Sequence, residues 1–367
     1  MKIDVVQEFL TLAALNSPSR QEAVVADHIG KRLQEMGLVP KVDDTAARSG
    51  SDTGNLVVHL PGNVPGPKIL LGAHMDTISP TEGLVPIVRD GMIYSNGRTV
   101  LGADDKAGIA MILALLAELK ADGLPHPSLI AVFTVQEELG LFGATHMRQD
   151  LDADFGYVLD GDGPVGTIVH RAPSKADLNL TIEGKAAHAG VCPERGVNAI
   201  AVAAAAIARL TFGRHDAETT SNVGVISGGK AKNIVPDLVE VAIEVRGIAQ
   251  ERLEGEILKI IEVFGQETAA SGARLSVERT DPFTAFSIDA SHLLVTNALK
   301  AAKALGIPSR LITSGGGMDA NVFNLRGLPC VGLGIGIQEP HAPTEHIALT
   351  QLTQGVSFLK ALLKTFL

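Results

Sequence analysis

Short apolar runs that alternate with helical segments constrain the fold of this chain more than any other feature of its sequence. The residue pattern predicts a helix at 21–36, strands at 55–60 and 68–73, a helix that begins after Asp105, and a strand at 129–135. Gly123 is the expected C-terminal cap of the helix after Asp105. Strands and helices in such alternation form an α/β sheet with helices packed against it.

The pattern changes from about residue 176. Alternating polar and apolar residues then predict strands at 177–184, 222–226, 238–246 and 273–279, with helices at 198–210 and 250–267. This β-α-β-β-α-β order is typical of a compact α+β sandwich, and a helix at 293–305 and a strand at 330–336 restore the first pattern. We predict an α/β domain of residues 1–175 and 282–367 with an inserted domain at 176–281, since 367 residues exceed the usual limit of one core, about 250–300 residues.

Composition excludes several functional classes. The formal net charge is −10 and no basic stripe is present, so neither nucleic acid nor an anionic membrane is an expected partner. The all-apolar run at 200–208 is far shorter than the roughly 20 residues of a membrane span. Polar residues interrupt the N-terminal segment, which favours an amphipathic helix over a signal peptide. With only Cys192 and Cys330 as thiols, we expect a cytoplasmic protein without disulfides.

A histidine and an aspartate follow the apolar run ILLGA, as His74-Met-Asp76-Thr77. Functional groups of open α/β sheets gather at the carboxyl ends of strands. Residues two apart on an extended chain point the same way, so the Asp76 carboxylate can orient the His74 imidazole while its other nitrogen binds a metal. A polar turn that ends the strand explains the same residues without chemistry.

Paired acidic residues occur in two further places. Asp104 and Asp105 lie in GADDKAG at a helix start, where one of them is expected to cap the helix and two adjacent carboxylates favour a bound cation. Glu137 and Glu138 lie in QEELG after the strand IAVFTV. One of these glutamates can bind a metal while the other takes a proton from water. An exposed charged loop is the alternative for the glutamate pair.

Two single residues extend the set, Asp160 in the strand end VLDGD and His341 in PHAPTEH. Each is weak evidence alone, but together with the earlier clusters they indicate one metal-dependent site. Competing motifs fail, because GVISGGKA has Ala231 where a phosphate-binding loop needs Ser or Thr. Neither HExxH nor GxSxG occurs, which argues against helix-based zinc peptidases and serine hydrolases.

The ordered motifs HMDT, GADDKAG, QEELG, LDGD, KAAHAG and PHAPTEH resemble those of the M20 family of dinuclear zinc exopeptidases, and most closely its peptidase T-like tripeptidases. The resemblance implies a zinc-exopeptidase-like catalytic domain, with a mixed sheet flanked by helices, and an inserted α+β lid that also forms a homodimer interface. It further implies two zinc ions, although the oxygen and nitrogen ligands would also suit Co or Mn.

Site residues follow from the same resemblance. Asp104 would bridge the two metals, with His74 and Asp160 completing one site and Glu138 and His341 the other. Asp76 would orient His74, and Glu137 would be the general base. In the inserted domain, the family pattern implies substrate-binding roles for three residues: His188, Asn233 and Arg246.

The sequence therefore predicts a metal-dependent hydrolase that removes the N-terminal residue from short peptides. An N-acyl amino acid or other amide hydrolase, of the deacylase or carboxypeptidase type, is an alternative with the same metal centre. A non-catalytic metal-binding protein is a third hypothesis, and the presence of Glu137 argues against it.

Overall fold

The computed structural model describes residues 2–148 and 150–367. The chain forms two compact units, one of Met1–Ala172 with Phe286–Leu367 and the other of Pro173–Ala285. The boundaries predicted from the sequence are 175/176 and 281/282. The roles of the inserted unit as a lid and as a dimer interface remain predictions.

The helices begin and end close to the predicted positions where a prediction was made. In chain order they are α1 (Val5–Ala13), α2 (Ala23–Glu35), α3 (Ala46–Ser49), α4 (Ala103–Asp122), α5 (Phe142–His146), α6 (Ala199–Arg209), α7 (Gln250–Ser271), α8 (Leu293–Ala304), α9 (Asp319–Leu325) and α10 (Leu349–Lys364). A short 3₁₀ turn covers Pro193–Arg195.

The strands form three sheets, described below. In chain order they are β1 (Lys41–Val42), β2 (Leu56–Leu60), β3 (Ile69–His74), β4 (Ile87–Arg89), β5 (Met92–Tyr94), β6 (Leu129–Thr134), β7 (Phe155–Gly161), β8 (Thr167–Ala172), β9 (Ser174–Glu183), β10 (Gly213–Arg214), β11 (Thr219–Gly228), β12 (Leu238–Gly247), β13 (Arg274–Phe283), β14 (Phe286–Ser287), β15 (Arg310–Thr313), β16 (Cys330–Gly334), β17 (Ile337–Gln338) and β18 (His346–Ala348).

The first unit is built on a mixed sheet in the order β1-β2-β6-β3-β7-β16-β8-β14, with β15 paired to β8. Strands β6, β3, β7 and β16 run parallel to one another, whereas β2 is antiparallel to β6. Every residue of β3 and β6 is buried, as expected of parallel strands covered on both faces. The predicted fold class, a mixed α/β sheet with an inserted α+β unit, is confirmed.

Helix α4 is the central helix of this unit. Nearly all of its residues are buried, because it packs against β3, β7, α1 and α10. Regular helical backbone starts only after Asp105, since Asp104 (φ −81°, ψ 102°) and Asp105 (φ −119°, ψ 33°) are not helical. The helix ends as predicted at Gly123, whose positive φ of 59° favours glycine.

A smaller antiparallel sheet of the first unit, in the order β17-β18-β5-β4, was not predicted. Its strands are two or three residues long and lack a readable alternation of polar and apolar residues. Helices α9 and α10 were also missed, although α10 buries a regular apolar face.

The second unit has its own apolar core. Its antiparallel sheet has the order β10-β11-β12-β9-β13, and α6 and α7 pack on it. Core residues include Leu178, Val241, Ile257 and Phe264, each at most 1% exposed. Apart from the short β10, the element order is the predicted β-α-β-β-α-β.

Two further findings concern membranes and thiols. Within residues 2–148 and 150–367, no helix combines the length and the apolar character that crossing a membrane requires. Both cysteines are free, with Cys330 buried and Cys192 partly exposed.

We predict that Leu115→Ala, a truncation on α4 at a site with 0% exposure, lowers the free energy of unfolding of the first unit by about 2–5 kcal/mol. The cause is the lost apolar contact together with the cavity left behind. Leu325→Ala is the control, because Leu325 is 67% exposed, and it should change stability by less than about 0.5 kcal/mol. Urea denaturation of both variants measures the difference, and equal losses would contradict the central role of α4.

Candidate metal centre

Three adjacent parallel strands bring the acidic clusters to one edge of the main sheet. His74 is the last residue of β3, Glu137 and Glu138 follow the end of β6, and Asp160 lies near the end of β7. Because β3 pairs with both β6 and β7 in parallel, these strand ends coincide. This is the arrangement that the positions of the clusters in the sequence predicted.

The Asp104 carboxylate lies between two imidazoles. Its Oδ1 is 3.0 Å from Nε2 of His74, and its Oδ2 is 3.2 Å from Nε2 of His341. The His74 nitrogen is also 3.9 Å from an Asp160 oxygen, and the His341 nitrogen is 3.1 Å from Oε1 of Glu138. The two Asp104 oxygens thus belong to two separate groups of candidate ligands.

These groups fit divalent metal ions. Bonds of 2.0–2.2 Å in a tetrahedral zinc site separate ligand atoms by about 3.4 Å, and the distances above fall around this value. The buried Oε1 of Glu138 makes no hydrogen bond, although His341 is close to it, so it faces a position where a cation would satisfy it. The donors are imidazole nitrogens and carboxylate oxygens, which suit Zn, Co or Mn.

Glu137 lies beside the first group. One of its carboxylate oxygens is within 4.8 Å of ligand atoms of His74 and Asp160. The side chain is almost fully buried, and burial raises the pKa of Glu137 well above its ordinary value. A carboxyl group with a raised pKa is suited to take up a proton and release it again.

Burial and neighbouring charges also change the pKa values of the other carboxyl groups. Burial, and then the charge of Asp104, raise the pKa of Asp160, while burial raises that of Glu138. Burial opposes ionisation of Asp104 too, but its hydrogen bonds to His341 and His74 outweigh this and hold its pKa below the ordinary value. The two histidines therefore favour the ionised form of Asp104.

The neighbouring carboxylates raise the pKa values of both histidines. Burial lowers the pKa of His74, but the hydrogen bond to Asp104 and the Asp76 carboxylate nearby outweigh it and raise the pKa well above 6.5. The hydrogen bond to Asp104 and the adjacent Glu138 carboxylate raise the pKa of His341 to about 10. The carboxylates around both imidazoles thus favour a cation at this position.

Asp76 contacts His74 differently from the expectation. The His74 Nδ1 pairs with the backbone oxygen of Asp76 at 2.8 Å, whereas the nearer carboxylate oxygen is 3.4 Å away. The carboxylate instead accepts hydrogen bonds from the backbone N–H groups of Glu137 (2.9 Å) and Glu138 (3.2 Å) and from the Ser19 hydroxyl (2.6 Å). Asp76 therefore fixes the turn that carries both glutamates.

Adjacent residues Asp104 and Asp105 have different partners. Asp105 accepts hydrogen bonds from the backbone N–H groups of His74 (3.1 Å) and Gly108 (3.2 Å), so it caps the helix and contacts the backbone of His74. Gly108 is needed because a Cβ there would lie 2.4 Å from an Asp105 oxygen and 2.5 Å from the Leu159 oxygen. The glycine lets α4 approach the strand that carries Asp160.

Two buried glutamates near the site were not predicted. Glu22 accepts a hydrogen bond from the backbone of Gln136 (3.1 Å), the residue before Glu137. Glu345 accepts hydrogen bonds from the backbone N–H groups of Leu101 and Asp104. Their contacts join segments far apart in the chain. For Glu345 the only sequence signal was its place in PHAPTEH, four residues after His341.

The three predicted substrate-binding residues all lie in the second unit. His188 and Asn233 are exposed. They lie close together, since Ala189, next to His188, donates its backbone N–H to the backbone oxygen of Asn233 at 3.0 Å. Arg246 lies on β12 and forms an ion pair with Glu244 at 3.2 Å. Their roles in binding substrate remain predictions.

Known proteins are similar to this chain over most of its length. Residues 70–365 match the model of peptidase family M20/M25/M40. The uncharacterized protein YqjE of Bacillus subtilis is 37% identical over 361 residues, which cover 98% of this chain and 97% of YqjE. The chain belongs to this peptidase family.

Solved structures point to the same class. Aminopeptidase PepT from Bacillus cereus is 38% identical, with a TM-score of 0.89 over 98% of this chain and 97% of that one. A tripeptidase from Staphylococcus aureus is 36% identical, with a TM-score of 0.95 over 99% of this chain and 97% of the other. The protein is a metallo-exopeptidase.

We predict that Asp76→Asn lowers turnover or metal affinity by about ten- to a hundredfold, because the amide has one acceptor oxygen and would turn its NH₂ group toward a backbone N–H. Asp43→Asn is the matched control. Asp43 also accepts backbone hydrogen bonds, from Thr45 (3.0 Å) and Asn55 (2.9 Å). Neither of these donors is a candidate metal ligand. Metal titration and kcat of both variants give the comparison, and equal effects would refute a role specific to the site.

Proposed function

We propose that this protein removes the N-terminal residue from short, unblocked peptides, with a site that holds two divalent metal ions. The position of the Asp104 carboxylate, with one oxygen toward His74 and the other toward His341, carries the proposal. A single metal would need only one of these groups. The names of the similar solved structures, an aminopeptidase and a tripeptidase, support a peptide substrate with a free amino end.

In this proposal the first metal would be held by His74, Asp160 and one Asp104 oxygen. The second would be held by Glu138, His341 and the other Asp104 oxygen. Zinc is the metal proposed, and Co or Mn would suit the same donors. When bound, such a pair lowers the pKa of a water molecule and polarises the scissile carbonyl group. Asp76 keeps the turn of Glu137 and Glu138 in place through its two backbone hydrogen bonds.

Glu137 is proposed to act as the general base and then as the general acid. Its carboxylate accepts a proton from the attacking water and later donates that proton to the amine of the leaving peptide. Its burial supports this role, because a carboxyl group that is costly to ionise holds the proton readily between the two steps.

The second unit is proposed to act as a lid that binds the substrate and forms a homodimer. His188 would contact the substrate carbonyl oxygen, and Asn233 and Arg246 would bind the far end of the peptide. A planar guanidinium binds both oxygens of a terminal carboxylate, which supports Arg246 in this role. The net charge of −10 and the free thiols support a cytoplasmic enzyme without nucleic acid or membrane partners.

We predict that Glu137→Gln retains both metals but loses most of its turnover, by at least about a hundredfold, because a proton acceptor is removed and no ligand is lost. Glu138→Gln, at the adjacent position, should lose metal as well as activity. Metal content by elemental analysis and kcat on a tripeptide separate the two effects. Chelation should abolish wild-type activity, and near-normal turnover of metal-loaded Glu137→Gln would show that the base is another residue.

Peptides with blocked ends test the substrate. C-terminal amidation of a tripeptide should slow cleavage at least tenfold, since a charged hydrogen bond worth about 1.5–3 kcal/mol is lost. Acetylation of the N-terminus should also slow it, because the free amine is the group that an aminopeptidase recognises. The rates on a tripeptide, its two blocked forms and N-acetyl amino acids are compared directly. Faster cleavage of the acetyl amino acids would indicate a deacylase with the same metal centre.

A further inference from the structure

A carboxylate that the proposed mechanism does not use lies directly behind the bridging aspartate. Glu345 is 1% exposed. Its Oε2 accepts hydrogen bonds from the backbone N–H groups of Leu101 (2.7 Å) and Gly102 (2.8 Å), and its Oε1 accepts one from Asp104 (3.1 Å). We propose that Glu345 is a positioning residue that fixes Asp104 and His341 relative to each other and so determines the affinity of the second metal.

The turn that Glu345 holds is irregular. Gly102 has a φ of 69°, and Asp104 has the extended ψ of 102° at the start of α4. The three N–H groups whose hydrogen bonds Glu345 accepts precede the regular part of α4, and a buried backbone N–H group without a hydrogen-bond partner is costly. Without the Glu345 carboxylate, three backbone N–H groups lose their partner and the direction of the Asp104 side chain is no longer set.

The same glutamate also restrains His341. Both residues lie in the loop between β17 and β18, four positions apart. Just after Glu345, β18 pairs with β5, and within the loop the Ser95 hydroxyl donates to the Pro343 oxygen at 2.9 Å. Glu345 therefore links the loop that carries His341 to the turn that carries Asp104, the two ligands that meet at Oδ2 of Asp104.

The proposed site of the first metal depends less on the link that Glu345 makes between the His341 loop and the Asp104 turn. His74 and Asp160 lie on β3 and β7, which are hydrogen-bonded neighbours in the main sheet. Glu138 and His341, by contrast, lie on a turn and a loop. Loss of Glu345 should therefore weaken the second metal more than the first. This inference rests on the two-metal site of the proposed function.

Glu345 is not itself a candidate ligand, because both of its oxygens already accept backbone hydrogen bonds. Glu345→Gln is the informative variant, since one oxygen cannot serve Leu101, Gly102 and Asp104 together and the NH₂ group would face a backbone N–H. Glu8→Gln is the matched control. Glu8 is 2% exposed in the same unit, but its carboxylate pairs with His28 and Arg32.

The experiment is a titration of the metal-free full-length protein with Zn²⁺ by calorimetry, together with the absorption spectrum of the Co²⁺-loaded protein. Wild type should bind two ions per chain. Glu345→Gln should bind the first ion less than tenfold more weakly, because Asp104 is one of its ligands too, and the second about ten- to a hundredfold more weakly. Glu8→Gln should bind both ions like wild type, even if its melting temperature falls.

Excess metal gives a second readout. If Glu345 acts only through the second metal, raising the Zn²⁺ concentration should restore most of the kcat of Glu345→Gln, whereas chemistry by Glu345 itself would not be rescued. Ser95→Ala, which removes a milder restraint on the same loop, covers the case in which Glu345→Gln fails to fold. It should weaken the second ion in the same direction, by less than tenfold.

Equal weakening of both ions in Glu345→Gln, or unchanged binding of both, would overturn the inference while leaving the two-metal site intact. Loss of affinity for the first ion in Ser95→Ala would overturn it as well. A wild-type protein that binds a single ion would instead refute the two-metal proposal, and the role of Glu345 with it.

Discussion

Negative charge concentrated at one edge of the main sheet is the constraint on which the rest of this site depends. Six carboxylates belong to it, those of Asp76, Asp104, Asp105, Glu137, Glu138 and Asp160, and the facing bases are His74 and His341. Removing each ion from water costs several kcal/mol unless a partner compensates it. Two imidazoles cannot offset six carboxylates, and the geometry of the candidate ligands fits divalent cations as the further compensation.

The fold meets part of this cost with backbone N–H groups. Asp76 accepts hydrogen bonds from the turn that carries Glu137 and Glu138. Asp105 accepts them from His74 and Gly108, and Glu345 accepts them from the turn before Asp104. Each of these carboxylates thereby has backbone hydrogen-bond donors as partners. The candidate ligands keep their oxygens for the cations because neighbouring carboxylates satisfy the surrounding backbone.

This division of roles explains which parts of the site the sequence could reveal. His74, Asp104, Glu138 and Asp160 follow apolar strands or begin a helix, and the periodicity of those elements places them at one sheet edge. Glu22 and Glu345 belong to no such pattern, since the contacts that join them to the site are with residues more than a hundred positions away in the chain. Contacts of that kind depend on how loops pack, which local propensity does not encode.

The same reasoning applies to the fold and to Asp76. Long periodic elements such as α4 and β6 were placed within a residue or two, whereas the sheet of β4, β5, β17 and β18 was missed because strands of two or three residues carry no periodicity. That Asp76 and His74 are neighbours was predictable. Which Asp76 oxygen pairs with the His74 ring was not predictable, because a rotation of one side chain decides between the carboxylate and the backbone oxygen.

The residues proposed for catalysis and those proposed for substrate binding lie in different units. Every candidate ligand and Glu137 lie in the first unit, whereas His188, Asn233 and Arg246 lie in the second, whose apolar core is separate. A substitution in one core can therefore be absorbed without repacking the other. The metal motifs thus identify the reaction class, but they constrain the substrate weakly, because the residues proposed to select it are free to vary on an independent scaffold. Amide hydrolases with the same metal set and different substrates are an expected consequence of this arrangement.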